Sequence, residues 1–217
     1  MKQRAHDMFL DNKQAFAMHK YDIGKTSLIE MDIKTKSQDT RIQKFLPVPI
    51  NAREKVKEIL DQLLKYDIIR KCDEPSNYCS NILVVKKSDG HSIRLLFDGR
   101  LLNYDTPRLP MATTNKLEVL SHLVNKTHLT SMDMCDAFFH IPLNEESQPL
   151  TAFYSSVHSQ RFCFQRAPQG LRNSPLYLKL LLDKVFADMA DSCILFFDDL
   201  LVATNGSLED HLATVDK

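Results

Sequence analysis

The sequence predicts an α+β fold, on three observations. Residues 51–64 keep their apolar side chains on one helical face. Two pairs of short apolar runs, within 81–98 and 193–204, are each divided by turn-forming or charged residues, the pattern of a β-hairpin. Helices and strands do not alternate in the regular way that a parallel sheet requires. With 217 residues, 43% of them hydrophobic, the chain can bury one core or two smaller ones.

Residues 1–45 are polar and weakly periodic and read as a leader. Their end runs into KFLPVPI, where Pro-x-Pro imposes extended backbone. A helix follows, with Asn51 as its expected cap and Glu54 three residues on. Val56, Ile59, Leu60, Leu63 and Leu64 share its apolar face. Beyond the loop EPSNYCS, the runs NILVVKK and SIRLLFD flank the turn Ser88-Asp89-Gly90 as a hairpin with basic residues on both arms. A second helix fits 115–124. In HLTSMDM, strand alternation puts Leu129, Ser131 and Asp133 on one face and Thr130, Met132 and Met134 on the other. A third helix starts at Ser174, with Pro175 in its first turn, and runs to about Met189. Leu176, Leu180, Leu181, Val185 and Phe186 make it apolar nearly all round, which predicts a core helix. CILFF and LLVAT then flank Asp198 and Asp199 as two short strands.

The charges balance, 28 basic against 28 acidic, so net charge neither demands nor excludes a nucleic-acid partner. Locally, Arg161, Arg166, Arg172 and Lys179 are interrupted by no acidic residue, and Lys86, Lys87, Arg94, Arg100 and Arg108 form a second basic stretch. Each is either a solvated face or a polyanion contact. The five cysteines are widely spaced and show no zinc-type pairing, which predicts free thiols in a reducing compartment. No apolar run reaches membrane-spanning length, and MKQRAHDMFLDNK lacks the apolar core of a signal peptide. The expected setting is intracellular, with no membrane partner.

Asp198 and Asp199 pose the chemical question. Two like charges at roughly 4 Å in a partly screened site repel by about 4 kcal/mol. Adjacent strand residues point to opposite faces, so the two converge only where the chain turns. Tight hairpin turns favour Asn-Gly or Asp-Gly, which makes Asp-Asp a poor conformational choice. Two readings stand: a merely polar turn, or a pair kept ionised by a divalent cation such as Mg²⁺. Asp133, at the end of a predicted strand in SMDMCDAFFHIPL, adds a third carboxylate. His122 and His140 have no metal-spaced companion and read as ordinary surface or core histidines. Cys135 has no visible base partner and reads as packing.

At these residues the sequence resembles the reverse transcriptases of LTR retroelements, gypsy type with retrovirus-like features. The matching stretches fall in order: LDQLLKYDIIRKCDEPSNYCSNILVVKKSDG, IRLLFDGRLLN, SMDMCDAFF, FQRAPQGLRNSPLYLKLLLDKVF, FFDD and NGSLEDHLATV. FFDD stands where Tyr-x-Asp-Asp is commoner, so the bulky Phe197 sits just before the aspartates. Pro-Gln-Gly is nearer retroviral usage than the gypsy Pro-Phe-Gly. The resemblance implies right-hand polymerase fingers and palm, the palm built on a ferredoxin-like antiparallel sheet of βαββα type. On that scheme 46–110 is mainly fingers, and 111–217 is mainly palm with an interleaved fingers segment at about 144–170.

Residue roles carried by the resemblance follow. Asp133, Asp198, Asp199 and the Met134 carbonyl would hold two Mg²⁺ ions, with Mn²⁺ as the substitute, for nucleotidyl transfer onto a primer 3′ hydroxyl. Lys87 and Arg94 would pair with the incoming triphosphate. Asp136, Ala137, Phe138, Gln169 and Gly170 would complete the nucleotide site. Phe138 would exclude a ribose 2′ hydroxyl, unless it is simply a core aromatic beside Phe139. Phe196, Phe197, Arg100, Asn173 and Pro175 would meet primer and template. The implied partners are an RNA and DNA primer-template, deoxynucleoside triphosphates, and the thumb and RNase H segments of a parent polyprotein. The setting would be cytoplasm or a virus-like particle.

The chain ends soon after Asp199, which reads as a fingers-and-palm piece with the thumb absent. An inert element fragment that only binds nucleic acid or protein is the alternative. A viral RNA-dependent RNA polymerase palm is opposed by Phe138. Nothing in the sequence speaks to oligomeric state.

Overall fold

The computed structural model of the protein describes residues 2–86, 92–111, 116–196 and 199–217. Among these, the α-helices are α1 (Lys2–Asp11), α2 (Arg53–Lys65), α3 (Arg100–Asp105), α4 (Lys116–Leu123), α5 (Ser174–Val185) and α6 (Leu208–Val215). The strands are β1 (Arg41–Ile42), β2 (Ile69–Lys71), β3 (Tyr78–Cys79), β4 (Ile82–Lys86), β5 (Ile93–Phe97), β6 (His128–Asp133), β7 (Phe153–Ser155), β8 (Gln160–Phe164), β9 (Cys193–Phe196) and β10 (Asp199–Thr204). They form two compact units. The first comprises Met1–Ile23, Pro110–Ala137 and Leu178–Lys217, and the second Gly24–Leu109 and Phe138–Tyr177.

The first unit is built on an antiparallel sheet in the order β6-β10-β9. Exposure alternates strictly along β6, as a half-buried strand requires. Helix α6 packs on β10 and β6, and α4 on β9. Helix α1 is tied to α6 by the Arg4–Glu209 ion pair and by Asn12 Nδ2 donating to Asp216 Oδ1 at 2.7 Å. The succession β6, α5, β9, β10, α6 is the expected βαββα order. Helix α5 is not a core helix throughout. Leu178, Leu181 and Leu182 are buried, but Leu180 and Val185 are exposed, and Lys179 pairs with Asp183 one turn on. It ends at Val185, and a 3₁₀ turn, Ala187–Met189, replaces the last turn expected from the sequence.

The second unit holds an antiparallel sheet, β2-β8-β7, and the hairpin β4-β5. Helix α2 packs on β2 through Val56, Leu60 and Leu63, the face read from periodicity. Asn51 is not its cap. Pro49 leads directly into a 3₁₀ turn, Ile50–Ala52, so Asn51 lies inside a turn, whereas a cap needs extended backbone, and Ala52 precedes the helix with no side-chain bond. The segment read as a leader also contributes structure. Met31 and Ile33 are core residues; Met31 N–H donates to the Pro142 carbonyl at 2.8 Å and Ile33 N–H to Ser147 Oγ at 2.8 Å.

A buried polar knot stiffens this unit. Arg41 Nε and the Tyr78 hydroxyl each donate to Asp105 Oδ2 at 3.0 Å. Burial alone would raise the Asp105 pKa, but the Arg41 and Tyr78 bonds outweigh it and hold the carboxyl below its ordinary value.

Candidate active site

The first unit brings two of the predicted carboxylates together. Asp133 is the last residue of β6 and Asp199 the first of β10, and they are direct partners in the antiparallel ladder. Cross-strand partners project from the same face with Cβ atoms about 4.5–5.5 Å apart, and like charges there are destabilising. Both are exposed. Asp199 is also paired in the ladder with Phe196 of β9. Asp198 and Phe197 lie outside the described residues. Among the described residues no group of three His, Cys, Asp or Glu side chains is arranged to hold a metal.

The chain after Asp133 turns sharply. Asp136 has φ of 43°, a left-handed conformation that Asp tolerates better than most residues. Cys135 Sγ donates to the Lys20 carbonyl. Burial pushes the Cys135 thiol pKa up, and the charges of Asp136 and Asp133 push it further. A nucleophilic cysteine needs the opposite shift. All five cysteines are free.

Met134 and Ala137 belong to the first unit as well, Ala137 being buried; the other candidates with described placement fall in the second unit. Arg94 is exposed on β5, paired with Val85 of β4; Lys87 lies outside the described residues. Gln169 and Gly170 occupy an exposed turn before α5. Gly170 has φ of +111°, and a Cβ there would stand 2.9 Å from the Phe97 carbonyl oxygen, so the turn backbone lies directly on the end of β5. Two asparagines hold it. Asn103 Nδ2 donates to the Gly170 carbonyl at 2.7 Å, and its Oδ1 accepts from Arg172 N–H at 2.7 Å. Asn173 is buried, donating to the Pro107 carbonyl at 2.9 Å and accepting from Leu109 N–H at 3.2 Å. Pro175 is half-buried in the first turn of α5.

Arg100 points to solvent but grips the buried Asp98 carboxylate with both arms of its fork, at 2.8 and 2.7 Å. That pairing is the main reason the Asp98 pKa lies below its ordinary value. Phe138 and Phe139 are both half-buried, and Phe139 stacks on Phe164.

The basic run 161–179 is not a free polyanion face. Arg161 donates to the Cys72 carbonyl, Arg172 to that of Thr106, and Lys179 pairs with Asp183. Arg166 is buried, its guanidinium donating to the carbonyls of Gly24, Tyr66, Asp67 and Phe139. Sequence reasoning gave no role to Asn103, although it closes the quoted motif IRLLFDGRLLN, and none to Asp98 in the same motif.

A family model described as reverse transcriptase (RNA-dependent DNA polymerase) matches residues 85–217, a span that contains Asp133 and Asp199. The chain belongs to the reverse transcriptase family. Among its relatives, the retrovirus-related Pol polyprotein from transposon opus of Drosophila melanogaster is 30% identical over 181 residues, covering 80% of this chain and 17% of that polyprotein. The Pol polyprotein from transposon gypsy of the same fly is 25% identical over 227 residues, covering 100% of this chain and 21% of its own length. The chain thus spans about a fifth or less of these Pol polyproteins. The protease-reverse transcriptase of prototype foamy virus superposes with a TM-score of 0.88 at 22% identity, covering 99% of this chain and 28% of that one. A foamy viral protease-reverse transcriptase in complex with RNA/DNA hybrid gives a TM-score of 0.85 at 21% identity, covering 99% and 28%. The reverse transcriptase chain therefore has the α+β fold of polymerase fingers and palm, with the antiparallel sheet expected of the palm.

Proposed function

We propose that this chain is the fingers-and-palm core of an RNA-directed DNA polymerase, adding deoxynucleotides to the 3′ hydroxyl of a primer on an RNA or DNA template. The pairing of Asp133 with Asp199 in the strand ladder carries this reading. Nothing in a sheet calls for two like charges in direct register, and a divalent cation removes the penalty.

The donor set fits the ions. Carboxylate oxygens are hard ligands suited to Mg²⁺, with Mn²⁺ as substitute, and both are solvent-accessible. Asp133, Asp198, Asp199 and the Met134 carbonyl would hold them. Bound divalent cations stabilise the attacking and leaving oxygens of an in-line displacement.

The chain's own residues do the rest by binding and orientation. Lys87, as a point charge, and Arg94, as a fork, bind the triphosphate. The turn at Gln169 and Gly170 receives the nucleotide sugar and the template base. Asp136 and Ala137 also serve nucleotide binding. Phe138, half-buried, closes the space a 2′ hydroxyl would need; each 1.4 kcal/mol of clash is about a tenfold preference for deoxynucleotides. Phe196, Phe197, Arg100, Asn173 and Pro175 lie along primer and template. Arg100 and Asn173 serve chiefly through what they hold: the buried Asp98, and the backbone at Pro107 and Leu109. In this scheme 1–45 leads into the polymerase, 46–110 is mainly fingers, and 111–217 is mainly palm with fingers residues at about 144–170. The chain acts within a longer polyprotein, in cytoplasm or a virus-like particle.

Primer extension on poly(rA)/oligo(dT) with Mg²⁺ or Mn²⁺ tests the reading. Wild type extends the primer and Asp199→Asn loses about 100-fold or more, the scale of a lost electrostatic contact to the transition state. Equal extension by both would remove the carboxylates from the mechanism, and no extension by either would leave a binding module.

A further inference from the structure

The carboxylate pair exists only while β6 and β10 keep one register. A slip of one residue sends the side chains to opposite faces. A slip of two sets Asp199 against Ser131. Something must fix the alignment, and the side of the sheet away from the carboxylates shows what does.

Thr130 lies an odd number of residues before Asp133 on β6, and Thr204 an odd number after Asp199 on β10, so both threonines project from the opposite face. Thr130 is paired with Val202 and Thr204 with His128, which makes the two threonines diagonal neighbours. Such neighbours are about 7–8 Å apart, too far for a hydroxyl to bond a hydroxyl. His211 of α6 fills the gap. Its Nδ1 lies 2.7 Å from Thr204 Oγ1 and its Nε2 2.8 Å from Thr130 Oγ1. The residue is 2% exposed. A hydroxyl can donate or accept, so a neutral imidazole, with one N–H and one lone pair, is satisfied at both ends.

The ring is itself anchored. Helix α6 opens with a capping box between Ser207 and Asp210, which fixes its first turn. Behind the ring stands His128, with centroids 5.6 Å apart, and His128 Nε2 is 3.2 Å from the Gly206 carbonyl. Burial, and secondarily His128, holds the His211 pKa below its ordinary value, in keeping with a neutral bridge.

Resting on the metal-site reading above, we propose that His211 is a positioning residue for the polymerase carboxylates: by bridging Thr130 to Thr204 it locks the register that sets Asp133 against Asp199, and so sets the affinity of the site for divalent cations. It touches neither substrate nor metal and acts through the two strands alone.

The test uses the full chain and the free Mn²⁺ signal in electron paramagnetic resonance. Thr130→Val keeps the shape and removes one hydroxyl; His211→Leu keeps bulk and removes both bonds. Both are expected to weaken Mn²⁺ binding about tenfold while melting cooperatively. In primer extension the metal concentration for half-maximal rate rises by the same factor, and kcat at saturating metal stays within twofold, a split that general destabilisation does not produce. The double variant is no weaker than His211→Leu, because one bridge is lost in both. Mn²⁺ affinity equal to wild type in folded Thr130→Val overturns the proposal, even if His211→Leu fails to fold. Asp199→Asn is the separate control. If that variant binds Mn²⁺ as wild type does, the metal-site reading fails and takes the proposal with it; if it loses binding while Thr130→Val does not, only the role of His211 falls.

Discussion

Asp133 and Asp199 face each other across one rung of a ladder, and that juxtaposition has an effect on stability opposite to its effect on function. Like charges in direct register cost about 0.2–1 kcal/mol without a counter-ion. Asp199→Asn, melted in the presence of a chelator, is therefore expected to raise Tm by about 1–3 °C, on the usual relation for a chain of this size. Mg²⁺ should stabilise the wild type and not the variant, erasing the gain. A variant that melts lower under chelation would mean that Asp199 makes a favourable contact in the native state. At this scale the sequence was informative about residue type: three carboxylates and an aromatic-rich turn were visible in it. The partner of each was not. That Asp133 meets Asp199 depends on strand register, and that Asn103 and Asn173 are spent on backbone at Gly170, Pro107 and Leu109 depends on loop packing, neither of which has a sequence period.

Elements with a strong period were legible, and those without one were not. The buried face of α2, the β4-β5 hairpin and the alternation of β6 follow from apolar spacing. Met31 and Ile33 escaped because an isolated extended segment packs by pairing with distant chain, and its polar neighbours hide it. Asn51 failed as a cap because two prolines upstream had already set the backbone. Arg166 is the clearest case of an element held by a residue that sequence placed on a basic face. Its guanidinium takes the Tyr66 and Asp67 carbonyls just after α2, together with those of Gly24 and Phe139. A cation at a helix C-terminus is favourable, and removing a donor leaves buried acceptors unmet at about 1–3 kcal/mol. Arg166→Met should therefore lower stability by about 3 kcal/mol, read as a shift in urea midpoint at unchanged m-value. Lysine at the same position, with one cationic centre in place of a fork, should recover less than half of it. A midpoint within error of wild type would show that water replaces the guanidinium.

The two units carry different titratable groups in their interiors, and this sets how the whole molecule responds to acid. In the first unit His211 has a pKa lowered by burial and by His128. Its unfolded value is about 6.5, so its neutral bridge contributes fully above that pH and is lost as pH falls towards the folded value. In the second unit Asp98 is held down chiefly by Arg100, and Asp105 by Arg41 and Tyr78 against the opposing effect of burial. Both carboxyls have unfolded values of about 3.9, so their contribution persists to that pH and disappears only below it. The sign is the same in all three groups, a folded pKa below the unfolded one, but the windows are separate. Acid titration followed by hydrogen exchange should show β6, β10 and α6 losing protection as pH falls below about 6.5, while β2, β7 and β8 keep theirs until below about pH 4. Thr130→Val should move the first step and leave the second in place. Simultaneous loss across both units would mean that one cooperative transition overrides the local groups, and that neither the histidine bridge nor the buried carboxylates govern stability on their own.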